Sequence, residues 1–243
     1  MKQTFRLRNY RILNILCSLS SLGLVLFGFL VLVPPVERDV YVSAAIDGTQ
    51  YNLTLTTNES IDIELTPTTD GSIAIVKDTV LGTTTSPSGY KLYLSVASTE
   101  DNNIYLNEDN TNNTVDKTFL PTTGTYTNPA PLNVVADASI VENPSILESS
   151  THATWGYAVP GLNNFDSSYS TTNPSTTSKF ASIPTYGNEQ LIHNHEGTVT
   201  NNATDIYYGI KANTNIANGQ YSTDILYTSV TEMSSIIEGE ATI

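Results

Sequence analysis

Two histidines separated by one residue, His193-Asn194-His195, are the first place in this sequence where side chains could do chemistry. On a strand, residues i and i+2 share a face, so two imidazoles would point the same way, and such a pair can hold a transition metal such as zinc or copper. A site of that kind needs a third ligand, for which Glu196 and His152 are at hand. A second set is acidic. Asp101, Glu108, Asp109 and Asp116 lie in the polar stretch DNNIYLNEDNTNNTVD, whose carboxylates and amide oxygens are the hard ligands that calcium takes. No glycine follows the alternating acids, so the spacing is not that of an EF-hand. Both sets also have a plainer reading, as a polar strand end beside Gly197 and as a solvated acidic loop.

Catalytic motifs are missing. There is no G-x-S-x-G, no Walker pattern and no H-E-x-x-H. The expectation is therefore a protein that is not an enzyme, has no catalytic residues and takes no cofactor unless calcium. Lys77, Lys91 and Lys211 stand in strand-like runs, where a lysine–asparagine amide cross-link could form. Lys91 and Lys211 alternate out of phase with their apolar neighbours, which places them at the surface.

The elements that would position these residues read as strands. YNLTLTT sets Tyr51, Leu53 and Leu55 on one face, and SIDIELT repeats the pattern with Ile61, Ile63 and Leu65. GYKLYLSVAS, ATWGYAV and TDIYYGIKA do so with Tyr90 to Val96, Trp155 to Val159 and Ile206 to Ile210. A period of two between turn residues is the mark of half-buried antiparallel strands. Asp47-Gly48, Asp70-Gly71 and Pro87-Ser88-Gly89 supply turns, and Asn218-Gly219 is a hairpin-type pair before QYSTDILYTSV. Ile104 to Leu106 forms a short strand inside the acidic stretch, and NNFDSSYSTTNPSTTS an excursion from the sheet. Composition agrees: tyrosine, at 14, outnumbers phenylalanine, at 6, and threonine abounds.

The amino terminus sets the compartment. Ile12 to Val33 is an uncharged apolar run, preceded by Lys2, Arg6, Arg8 and Arg11 and closed by Pro34-Pro35. As a helix it spans roughly 33 Å, matching a hydrocarbon core of about 30 Å. The flanking cations keep residues 1–11 in the cytoplasm and put the remainder outside. The run exceeds the apolar core of a usual signal peptide, which favours a retained anchor; cleavage after Val42-Ser43-Ala44, giving a secreted chain, is the alternative. The remaining chain holds all 24 acids of a protein with net charge −14, which disfavours nucleic acid as a partner. Cys17 is the only cysteine, so no intrachain disulfide can form.

Leu120-Pro121-Thr122-Thr123-Gly124 spells the pentapeptide by which sortases join proteins to Gram-positive walls. It lies in mid-chain, without the apolar segment and basic tail that such a signal needs, and its proline and glycine suit a linker. The division that follows is an all-β protein with a transmembrane helix at 12–33, a β-sandwich over 38–118, a linker at 119–131 and a second sandwich over 132–243. One larger sandwich is the alternative.

Three phrases, TTTSPSGYKLYLSVAS, ATWGYAV and NGQYSTDILYTSV, together resemble membrane-anchored extracellular β-proteins of Saccharibacteria and related candidate-phylum bacteria. The resemblance covers short strand-and-turn phrases. It implies a bacterial cell-surface location and a β fold, and no catalytic residues. The expected protein is a single-pass, membrane-tethered surface molecule with a structural or adhesive role, meeting another cell surface, an envelope component or a glycan. The other expectation is a carbohydrate- or calcium-dependent ligand-binding module.

Overall fold

A computed structural model of the chain describes residues 3–9, 13–14, 40–46, 49–58, 60–98, 104–106, 118–133, 135–136, 151–217 and 219–231. Among them the protein is all-β, with no helix. The expected span at 12–33 lies outside the described residues except for Leu13–Asn14, a short strand β2. No helix among the described residues is long and apolar enough to cross a membrane.

The strands form one continuous sheet with two arms. The first arm runs from β14 (Gln190–His195) through β7 (Tyr90–Val96) to β16 (Gln220–Val230). There β1 (Gln3–Asn9) lies between β16, in parallel, and β5 (Ser60–Leu65), antiparallel. β2 also runs parallel to β16. The second arm is β12 (Thr151–Ala158), β15 (Val199–Ala212), β6 (Ser72–Thr84), β4 (Thr49–Thr56) and β3 (Val40–Ile46). β8 (Ile104–Leu106) and β9 (Thr118–Pro121) join the arms, β8 pairing with β16 and β9 with β12.

The arms face one another as in a β-sandwich. The Tyr227 hydroxyl of β16 donates to Asp78 Oδ2 of β6 at 2.9 Å and lies 2.6 Å from the Tyr208 hydroxyl of β15. Neither β6 nor β15 neighbours β16 in the sheet, so these bonds cross from arm to arm. Alternation delivers the core between them: Leu53, Leu55, Ile61, Ile63, Leu92, Leu94, Ile206 and Ile210 are all buried. With no disulfide available, this burial carries the fold.

The expected two-domain division does not hold. β6, from the first half, pairs with β15, from the second, over the whole register Ser72↔Ala212 to Thr84↔Val199. β7 lies between β14 and β16. The halves share one sheet and one core, which is the single-sandwich alternative. Period-two patterning identifies strands but not their partners, and these partners lie far apart in sequence.

Two local expectations change for related reasons. Gly219 precedes β16, but β15 and β16 are not paired, so the residues between them carry the chain from one arm to the other instead of closing a hairpin. The span 119–131 is not a free linker. Phe119 is fully buried, Leu120 and Pro121 pair with β12, and the Thr122 amide donates to the Trp155 carbonyl at 2.8 Å. A Cβ on Gly124 would lie 2.1 Å from the Phe180 carbonyl oxygen, so only glycine lets the chain pass there. Proline and glycine mark a change of direction, and here the turning chain is pressed onto the sheet. The LPTTG word is therefore expected to stay uncleaved. Mass spectrometry of a surface fraction should recover the peptide across Thr123-Gly124 intact, and a chain ending at Thr123 joined to wall peptide would contradict this.

The excursion at 160–178 is anchored over the second arm. Phe165 is buried beside Tyr157 and Tyr126, with ring centroids 6.0 Å from each. A two-stranded ribbon, β10 (Ala130–Pro131) with β13 (Lys179–Phe180), brings Phe180 over Gly209 and Gly156.

Candidate functional site

A cleft of about 460 Å³ opens where β14 of one arm approaches β15 of the other, under the turn at 159–162. His193, Thr204, Asp205 and Tyr207 supply its polar and aromatic lining, and Leu162 and Ile192 apolar wall. Bulged pairing brings the histidine there. Leu191 opposes Tyr93 and His193 opposes Leu92, so one extra residue shifts the register between them. Cross-strand partners share a face, and the shift puts His193 and His195 on the same side as Leu92 and Tyr90. The Tyr90 ring lies 5.7 Å from His193 and 6.2 Å from His195, and the two imidazoles stack 6.3 Å apart.

Burial holds the His193 imidazole below its ordinary value, and the charge of His195 adds to the lowering; a hydrogen bond to Asn202 acts the other way. His193 is therefore neutral at pH 7. Its Nε2 is buried without a hydrogen-bond partner, as is Thr204 Oγ1. The Thr204 hydroxyl still lies close enough to Tyr90 to offset part of the rise, to about 12, that burial imposes on that phenol. Asp205 is bound to its own arm, accepting from Thr79 Oγ1 at 2.6 Å and from Lys77 Nζ at 3.2 Å. Tyr207 lies against Tyr169, 5.2 Å between centroids. After Leu162 the chain turns through Asn163 and Asn164, which take left-handed backbone with φ of 34° and 63°, a conformation that asparagine adopts readily.

This arrangement can bind. Its lining combines an imidazole, a threonine hydroxyl and an aromatic ring, and His193 Nε2 and Thr204 Oγ1 are buried beside it. The sign of the His193 shift gives a test. An imidazole held low in the fold binds its proton more readily in the unfolded chain, so its contribution to stability is present above the ordinary value of 6.5 and is lost as pH falls through the folded value. The denaturant midpoint should fall between about pH 7 and about pH 5, and fall less in His193→Gln. An equal fall in both proteins would mean that His193 does not carry the effect.

The other expected ligands lie apart. His152 is opposite Val135 on β12, and Glu196 is exposed beyond the end of β14. Among the described residues no three histidine, cysteine, aspartate or glutamate side chains are grouped to hold a metal ion. Asp101, Glu108, Asp109 and Asp116 lie outside the described residues. Lys77 sits at the surface with Asp205 as its partner.

A second buried polar group escaped the sequence reading. Asp78 is fully buried and accepts from Thr57 Oγ1 at 3.0 Å, Asn58 Nδ2 at 2.9 Å and the Tyr227 hydroxyl. The signal was present, since Asp78 shares its parity along β6 with the buried Val80. For Thr204, Asp205 and Tyr207 there was none, because their meeting with His193 depends on how the two arms close. No family model and no curated protein matches the chain.

Proposed function

We propose that this is a membrane-tethered surface protein with a structural or adhesive role. The observation that carries the reading is the asymmetry of the chain: four cations, then an uncharged apolar run at 12–33, then a sequence holding every acid. The described fold suits display outside a cell. Its halves interlock in one sandwich that needs no disulfide, and Trp155 is 1% exposed, which takes the best aromatic platform for a sugar out of reach. The role is non-enzymatic and the partner is another cell surface or an envelope component. Protease treatment of sealed cells tests the orientation: the part after residue 40 should be degraded, and its protection would overturn the proposal.

One observation favours ligand binding as a second reading. His193 and Thr204 line the same cleft beside Tyr207, and each carries a buried polar atom without a geometric hydrogen-bond partner. A neutral, hydroxyl-bearing ligand such as a sugar ring matches that lining. Glycan-array binding that disappears in Thr204→Val would support it, and binding unchanged by that substitution would remove it.

A further inference from the structure

β1 occupies an unusual place. Among the described residues it is the only bridge between β5 and the rest of the first arm, and both of its edges are paired. Its register is matched residue by residue to its neighbours. Phe5 stands opposite Ile63 on one side and Tyr221 on the other, and Leu7 opposite Ile61 and Thr223. All four of those partners are buried. Arg6 stands opposite Asp62 and Ser222, Arg8 opposite Ser60 and Asp224, and Thr4 opposite Glu64. Asp62 and Glu64 are exposed and Asp224 half-exposed. The position between β5 and β16 therefore selects a strand that alternates apolar and basic residues: apolar towards the core, basic along an acidic rim.

Residues 3–9 cannot fill that position in an anchored chain. A span at 12–33 with residues 1–11 in the cytoplasm leaves them across the bilayer from β5 and β16. Both strands would then present unpaired backbone and a buried row with nothing beside it, the state that invites addition of a strand from outside. We propose that in the anchored protein the slot between β5 and β16 accepts an extended segment of a partner protein in which apolar residues alternate with lysine or arginine. The inference rests on the membrane-tethered reading given above. The attached partner would complete the sheet, joining two molecules by main-chain hydrogen bonds on two edges at once.

The test uses the full chain with an amino-terminal epitope, displayed on sealed cells. A fluorescent peptide, QTFRLRN, is the probe, with a scrambled peptide of the same composition as control. The expected result has three parts: no epitope detected by antibody before the cells are opened, capture of the alternating peptide over the scrambled one, and capture about tenfold weaker in Asp62→Lys/Asp224→Lys. That variant should in turn prefer the peptide carrying glutamate at both arginine positions, which shows that it is folded and that the rim sets the choice. A hidden epitope with no preference for the alternating peptide would overturn the slot while leaving the anchored reading intact. An epitope exposed on sealed cells would overturn the anchored reading, and the open slot with it.

Discussion

Raising the pH from about 9 to about 11 is expected to take about 4 kcal/mol from the protein's stability, with the phenolate absorbance of its buried tyrosines appearing only together with unfolding. Tyr157 and Tyr208 are fully enclosed in the core and Tyr227 is almost so. Burial is the main cause that pushes all three phenols above their ordinary value. For Tyr227 the neighbouring Tyr208 comes next and then Asp78, because ionising it would set a phenolate 2.9 Å from that carboxylate. The unfolded chain releases these protons near pH 10 while the folded chain retains them, so stability is complete below that value and is lost as pH rises beyond it. Each such group costs about 1.4 kcal/mol per pH unit, and three cost about 4 kcal/mol at about pH 11. A typical domain has about 5–15 kcal/mol in all. A titration in which every tyrosine ionises near its ordinary value while the sheet signal persists would show that these hydroxyls are not enclosed.

Trp155→Ala is expected to cost about 3–5 kcal/mol. Trp155 lies on β12 between Ile210 of β15 and Pro121 of β9, so its side chain stands where the joining strands meet the second arm. Alternation places Tyr157 on the same face, and both are buried. The glycine between them has a reason as well: a Cβ on Gly156 would come 2.6 Å from the Ala181 carbonyl oxygen. The denaturant midpoint of the full chain reports the loss, and Trp155→Phe should recover part of it. An unchanged midpoint for the alanine variant would place the indole outside the core.

Strand content was legible in the residues themselves. Ile61, Ile63 and Leu65 alternate with Asp62 and Glu64, and burial follows that alternation without exception. Ile104–Leu106 is a strand in the structure as its three residues suggested. Pairing was not legible, because every strand with one apolar face fits every other. The prolines and glycine of 121–129 looked like spacer material since turn chemistry is local, whereas Phe119 and Thr122 are buried by strands far along the chain. The histidine pair was visible as a pair. Its cleft was not, because the bulge after Leu191 and the approach of Thr204 are properties of the closed sandwich.

The interleaving of β6 with β15 has a consequence for synthesis. β6 is complete at Thr84, and its partner does not begin until Val199. At about 5–20 residues per second, the first strand waits roughly 6–23 s before its partner exists. During that interval β6 has β4, already made, on one side, but its other edge waits for β15, and contacts between such distant segments form slowly even afterwards. A chain of this kind cannot complete its sheet until the end of its translation. That state leaves the waiting edge of β6 open to proteases and to pairing with other strands until β15 arrives.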